Sequence, residues 1–387
     1  MEPADEFVSD VRTLIAAYCV RWWPLFAQNA SAVASPSGAW LLCGLAAGAA
    51  RPASNEATAA AGLVAHPPRA VQLATALWVA HDQRTADLQR WQASLPESVA
   101  TGEIPTQSQA DDWASQATGG VIASFPVSIT EHTALVLANA LASDVRWRRP
   151  YGVATSADWA LGGVWAGCVQ SILIGEDLTA VRTDDGLFAV HQAQADGLTV
   201  VCITGPTGEQ PMATAADVFH RYLAGESEDL WSLPLGEHGC WNFAEEPLQD
   251  APTAQVLRTQ VRLPAWEVES TWDLMGQPEL GFTQAADAIA ALLANPGPAQ
   301  ATQRVRARFD RLGFTAAALT ALAIKRSALP RDSESVTGVL RTIRADFAEP
   351  FAAFAMVDEA DSAWHQVVAF AAWVHEPVEP HDEGLGR

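Results

Sequence analysis

RLGFTAAALTALAIKRSALPRD, residues 311–332, carries six alanines, two threonines and the only lysine of the chain. Local propensity reads Ala316 to Ala323 as helix, because alanine and leucine are the best helix formers. The surroundings argue otherwise. Gly313 stands in front of the run, Thr320 interrupts it, and Lys325-Arg326-Ser327 follows as an exposed dibasic site. Directly upstream, Arg304, Arg306 and Arg308 alternate with Val305, Ala307 and Phe309, the period of two that marks a half-buried strand. On propensity alone the run reads as a surface helix, and the strand that leads into Gly313 sets that reading in question.

Further out, Phe7, Val8, Val11, Leu14, Ile15, Tyr18, Cys19 and Trp22 recur at helical spacing, which predicts an amphipathic helix over 5–23 that stops at Pro24. Ser35-Pro36 reads as an N-cap followed by proline at the first helical position, opening a helix through Ala47. Strands are expected at 71–80, at 134–142 as a central strand, and at 261–268. Helices are expected at 85–94, at 109–123 with its end at Gly119-Gly120, and at 284–294. Between about 160 and 205, short Val, Ile and Leu runs broken by Asp-Gly and Gly-Pro predict a β-rich half. No repeat and no linker divides the 387 residues, so one domain over 1–387 is expected.

Composition excludes several functions. The net charge of −22 opposes binding to nucleic acid, whose phosphates call for Lys and Arg, and opposes an anionic membrane surface. No apolar run reaches a clean membrane span, and the acidic start Met1-Glu2-Pro3-Ala4-Asp5-Glu6 does not resemble a signal peptide. Five scattered cysteines with no CxxC pair read as reduced core thiols, and a cytoplasmic location is the expectation. The 22 arginines against one lysine, with abundant alanine, suit a GC-rich bacterial genome.

Catalytic signatures are absent: there is no G-x-S-x-G elbow, no P-loop, no G-x-G-x-x-G and no H-E-x-x-H. His238-Gly239-Cys240 is expected to be a turn with a buried thiol, since sequence neighbours rarely have the geometry of a nucleophile and its base. His375, His381, Glu376, Glu379, Asp382 and Glu383 have no spacing that fixes a metal geometry and read as a solvated tail. The tryptophans, Trp22-Trp23 among them, read as core filling. No enzyme activity, metal or cofactor is expected.

The order of landmarks resembles the serpins, the protease-trapping inhibitors, over nearly the whole chain. ASAVASPSGAWLLCGLAAGA (30–49) is similar to the family's Ser-Pro helix start and Gly-Ala helix end, with Ser35, Pro36, Gly48 and Ala49 in place. ADDWASQATGGVI (110–122) is similar to its helix ending in Trp, Thr and Gly. TALVLANALASDVRW (133–147) resembles the strand that carries an asparagine and ends at a tryptophan, here Asn139 and Trp147. VRLPAWEVESTWDL (261–274), AEPFAAFAMVD (348–358) and FAAWVHEP (370–377) are similar to the Leu-Pro strand and the two closing strands.

The resemblance implies an α+β fold of about eight or nine helices around three β-sheets, with an exposed reactive-centre loop within 313–340. It implies one large central sheet holding 134–142 and 303–311, with Ser35 and Asn139 close together beneath it. It makes Gly313, Phe314, Thr315, Ala316, Ala317, Ala318, Leu319 and Thr320 the hinge. The scissile bond follows Ser327 by counting from the hinge, or Arg326 by charge. The function implied is a monomeric suicide inhibitor of a serine protease, of trypsin-like type given the basic residues. The alternative is a non-inhibitory relative whose loop does not insert. Several residues depart from the family pattern: Phe314 replaces a small residue, and Arg311 an acid whose lysine partner becomes Ala265. Gly38 replaces serine, and Gln303 replaces histidine. Overpacking a tight site costs about 1–3 kcal/mol, so Phe314, entering the sheet first, is expected to slow insertion unless Ala265 and Gly38 make room for its ring.

Overall fold

An apolar helix with no polar face has to be buried, and PSGAWLLCGLAAGAA (36–50) is such a helix. The computed structural model describes residues 3–51, 54–155, 165, 169, 171–315 and 336–378. Its first half runs α1 (Pro3–Cys19), β1 (Ala32–Ala34), α2 (Pro36–Ala50), α3 (Asn55–Ala65), β2 (Gln72–Val79), α4 (Ala86–Ser94), β3 (Val99–Gly102), α5 (Gln107–Ala117) and β4 (Leu135–Ala142). The middle is strand-rich: β5 (Asp144–Arg146), β6 (Gly152–Thr155), β7 (Ser171–Gly175), β8 (Leu178–Thr183), β9 (Gly186–Gln194) and β10 (Leu198–Thr204). After α6 (Pro211–Leu223) come β11 (Gly236–His238), β12 (Trp241–Ala251), β13 (Gln255–Pro264) and β14 (Trp266–Asp273). Then follow α7 (Phe282–Ala290), β15 (Thr302–Phe309), β16 (Gly313–Thr315), β17 (Val336–Asp346), β18 (Phe351–Val357) and β19 (Val368–Val374).

One six-stranded sheet has the order β1-β19-β18-β10-β9-β8. Its strands β10, β18 and β19 are buried along their whole length, which explains their unbroken apolar sequences. A second six-stranded sheet has the order β11-β12-β17-β13-β7-β6. Here β17 lies between β12 and β13, antiparallel to the first and parallel to the second. Arg341 of β17, only 4 % exposed, bonds to the carbonyl oxygens of Trp231 and Leu233 and pairs with Glu245 at 3.1 Å.

The remaining strands form two ladders, β3-β2-β4 and β14-β15-β16-β5. Since β5 continues β4 after the single residue Ser143, they are two flanks of one surface that part below β16. The single large sheet expected to hold 134–142 and 303–311 is therefore divided: β4 and β15 border it on opposite sides and do not pair with each other. This raises the number of ladders to four, against three expected sheets. Seven α-helices lie among the described residues.

Local chemistry sets the helix ends. Ser35 caps α2, accepting from the Gly38 N–H at 3.3 Å, with Pro36 in the first turn. A capping box between Thr106 and Gln109 starts α5, which ends before left-handed Gly119 and Gly120. The helix expected at 5–23 ends at Cys19, and a short 3-10 turn at Trp23–Leu25 buries Trp23. The strand expected over 261–268 is two: β13 ends at Pro264, which cannot donate to a ladder, and the chain changes sheet at Ala265. Helix α3, started by Ser54, is an element beyond those expected from the sequence. No helix of the described residues is long and apolar enough to cross a membrane.

Helices α2 and α3 cross at Gly44, where an added Cβ would lie 2.6 Å from the Ala60 Cβ and 3.0 Å from the Glu56 carbonyl oxygen. Gly44→Ala is therefore expected to destabilise the protein by about 1–3 kcal/mol through overpacking, read as a lower urea midpoint at unchanged slope.

Candidate functional site

The strand β15 turns back through Asp310-Arg311-Leu312 into β16. Asp310 holds the turn: its carboxylate accepts from the N–H groups of Leu312 at 2.7 Å and Gly313 at 3.1 Å, and its own N–H donates to the Gly313 carbonyl. Trp147 and Tyr151 brace the same turn from the other flank. The Trp147 indole donates to the Asp310 carbonyl at 2.8 Å, its N–H to Leu312, and the Tyr151 N–H to Arg311. Trp147 is buried, with its ring 4.9 Å from that of Phe309. Arg311 is exposed and makes no ion pair among the described residues.

The first residues of the expected hinge lie inside the sheet. Gly313, Phe314 and Thr315 pair with Arg146, Val145 and Asp144, and Phe314 and Thr315 also pair with Phe309 and Arg308. Glycine is required at 313 by close approach, since a Cβ there would lie 2.1 Å from the Val145 carbonyl oxygen. A left-handed φ plays no part there.

Phe314 is 3 % exposed and packs edge-on against Trp266 and obliquely against Phe370. The ring that was expected to enter the sheet first is already seated in it. Its space does not come from Gly38, whose absent Cβ is claimed by Ser35 and Leu141. It comes from alanines, since Ala353, Ala355, Ala371 and Ala372 line the same small gap as Phe314.

Below the hinge, β4 and β15 diverge around a cavity of 430 Å³. Leu135, Leu137 and Leu141 of β4 face it and stay half-buried, while Val136 and Ala138 on the opposite face are buried beneath α5. At its floor Gln303 of β15 clasps the Ser35 backbone, accepting from its N–H at 2.9 Å and donating to its carbonyl at 2.8 Å. Asn139 donates to the Gly38 carbonyl at 2.7 Å, and Ser35 Oγ donates to Ala369 at 2.7 Å. Ser35 and Asn139 thus meet through Gly38 at the start of α2. Arg326, Ser327, Ala316, Ala317, Ala318, Leu319 and Thr320 lie outside the described residues, as do His381, Glu379, Asp382 and Glu383.

Tyr151 brings a buried polar pair that the sequence did not suggest. Its hydroxyl bonds His191 Nε2, and His191 Nδ1 faces the Asp177 carbonyl oxygen. That carbonyl can only accept, which puts a proton on Nδ1; burial disfavours a second proton on Nε2, which then accepts from the Tyr151 hydroxyl. Burial pushes the His191 pKa down, against the opposing pull of Asp177, and pushes the Tyr151 hydroxyl up. Burial holds the Cys240 thiol at about 12, and His238 is exposed and bonded to the Leu235 carbonyl. The described residues hold no cluster of His, Cys, Asp and Glu able to bind a metal.

Two outcomes are expected. Phe314→Ala should cost about 3–5 kcal/mol in urea unfolding, because a buried aromatic anchor is lost, and should speed amide exchange at 313–315. For His191, the folded pKa lies below the unfolded value of about 6.5, so its contribution to stability is complete above that pH. It is lost as pH falls below 6.5, at up to about 1.4 kcal/mol per pH unit. His191→Gln, which keeps an acceptor for Tyr151, should flatten the fall in melting temperature between pH 6.5 and 5.

No family model matches the chain, and no curated protein sequence matches it. Its three-dimensional form does have relatives. Human thyroxine-binding globulin, solved with thyroxine, matches at a TM-score of 0.64 and 12% identity, covering 96% of this chain and all of that one. The native thermophilic serpin tengpin matches at 0.63 and 13%, over 95% and 94% of the two chains. A serpin of the insect Tenebrio molitor, described as highly specific, matches at 0.58 and 14%, over 96% and 98%. The chain has the serpin fold.

Proposed function

We propose that this protein inhibits serine proteases as a suicide substrate, through cleavage of the loop after β16 and entry of its first part as a strand between β4 and β15. One observation carries the reading: the hinge is already paired on both sides at the head of a slot whose walls are strand edges. The residues next in line, Ala316, Ala317 and Ala318, are small enough for a strand threaded between two neighbours.

In this mechanism the protease serine attacks the carbonyl carbon at Arg326 or Ser327. The peptide bond breaks, the amine of the next residue leaves with the β17 side, and the N-terminal segment remains as an ester on the enzyme. Strand entry then competes with hydrolysis of that ester. Lys325 and Arg326 suit a trypsin-like specificity pocket, and the inhibitor acts as a monomer.

A second reading is a binding protein with the same fold that traps nothing. It is favoured by the thyroxine complexes among the structural relatives. Incubation with trypsin separates the two. The first reading expects a complex that survives SDS and has the summed mass of enzyme and N-terminal segment, and a large gain in melting temperature for the cut protein. A loop cut at 325–331 with neither result would reject inhibition and leave the second reading.

A further inference from the structure

The turn that ends β15 hangs on the carbonyl oxygens of Asp310, Arg311 and Leu312, and all three are held from one short segment. Trp147 takes the outer two, through its indole and its N–H, and the Tyr151 N–H takes the Arg311 oxygen between them at 3.0 Å. Tyr151 is also fixed at the far end of its side chain. Its ring lies against Trp147 and Phe309, and its hydroxyl bonds His191 Nε2. Both side chains are buried. The space is fitted to the pair, since a Cβ on Gly175 would lie 2.9 Å from the Tyr151 ring and 3.0 Å from the His191 ring.

We propose that Tyr151 and His191 form an acid-sensitive switch, in which a proton taken up by His191 releases Tyr151 and loosens the turn that carries β16. The switch does not depend on whether the loop enters the slot. Nδ1 already carries the proton given to the Asp177 carbonyl, so a second proton goes to Nε2, the atom that accepts from Tyr151. Two donors then face each other. Among the described residues the Tyr151 hydroxyl has no other hydrogen-bond partner, so turning its proton away leaves a buried donor unpaired. The charged side chain that faces the imidazole is Asp177, exposed at the head of β8, and it draws a protonated ring away from Tyr151. Across the ladders β10 presents Cys202, whose thiol burial keeps neutral, and β8 presents Leu178. From β7 comes Gly175, and Phe309 of β15 packs on Tyr151; neither titrates.

The test compares the full chain with His191→Gln and Tyr151→Phe by amide exchange at pH 7 and pH 5, each rate corrected for the intrinsic rate at its pH. An opened His191 titrates near its ordinary value of about 6.5, so opening is favoured up to about twenty-five-fold more at pH 5 than at pH 7. Wild type is expected to lose protection by at least about fivefold, and by no more than that limit, at the amides of Tyr151, Leu312 and Gly313. These amides should stay less protected than β18 at both pH values, and Gln109 in the capping box of α5 should change by less than about twofold. His191→Gln, which cannot take up the proton, is expected to show the same protection at both pH values. Tyr151→Phe keeps the N–H and the ring without the hydroxyl, and is expected to be less protected already at pH 7 with no further loss at pH 5. Wild type with no loss at pH 5 would overturn the switch, as would either variant that repeats the loss of wild type. Protection at Leu312 equal to that of β18 would also overturn it, because acid would then act by unfolding the whole molecule.

Discussion

Along the facing edges of β4 and β15, backbone N–H and C=O groups that an ordinary sheet would pair have no strand between them. An unpaired buried backbone group costs about 1–3 kcal/mol, so a protein folds around such a gap only if other elements hold it open. Here α2 and α7 lie beneath it, residues 118–134 lie across it, and β16 wedges its upper end. Gln303 and Asn139 close the floor by bonding the first turn of α2 rather than each other. Much of the rest of the architecture serves to keep these two strands apart.

Phe314 and the residues that follow it differ in size. Phe314 is fixed by aromatic neighbours on β14 and β19, and the alanines of β18 and β19 leave it room. Ala316, Ala317 and Ala318, which follow it, have small side chains.

Much of the fold was legible because its signals are local. The Arg/apolar alternation at 304–309, the Ser35-Pro36 cap, the all-apolar α2 and the Gly119-Gly120 stop each depend on residues within a turn or two of one another. The features that escaped the sequence depend on distant partners. The pocket of Phe314 is built by Trp266 and Phe370, and the Tyr151–His191 pair joins the connection before β6 to β9. The parting of β4 from β15 is a property of the whole molecule. The Asp310 turn is an intermediate case: Asp followed three residues later by Gly is a turn signature that the sequence displays openly. Its bracing by Trp147 and Tyr151, from more than a hundred and fifty residues upstream, is not written in that signature.

The placement of β17 has a mechanical consequence. Eleven residues long, it is hydrogen-bonded to β12 on one side and β13 on the other, and those two strands are joined around its end by Pro252-Thr253-Ala254. Traction along its axis loads both ladders in shear, many bonds at once, whereas peeling would break them one by one. Arg341 rivets the strand to the 231–233 segment as well. β17 is thus a fixed post: a pull on its end at Val336 is met by both flanks together rather than by one bond at a time.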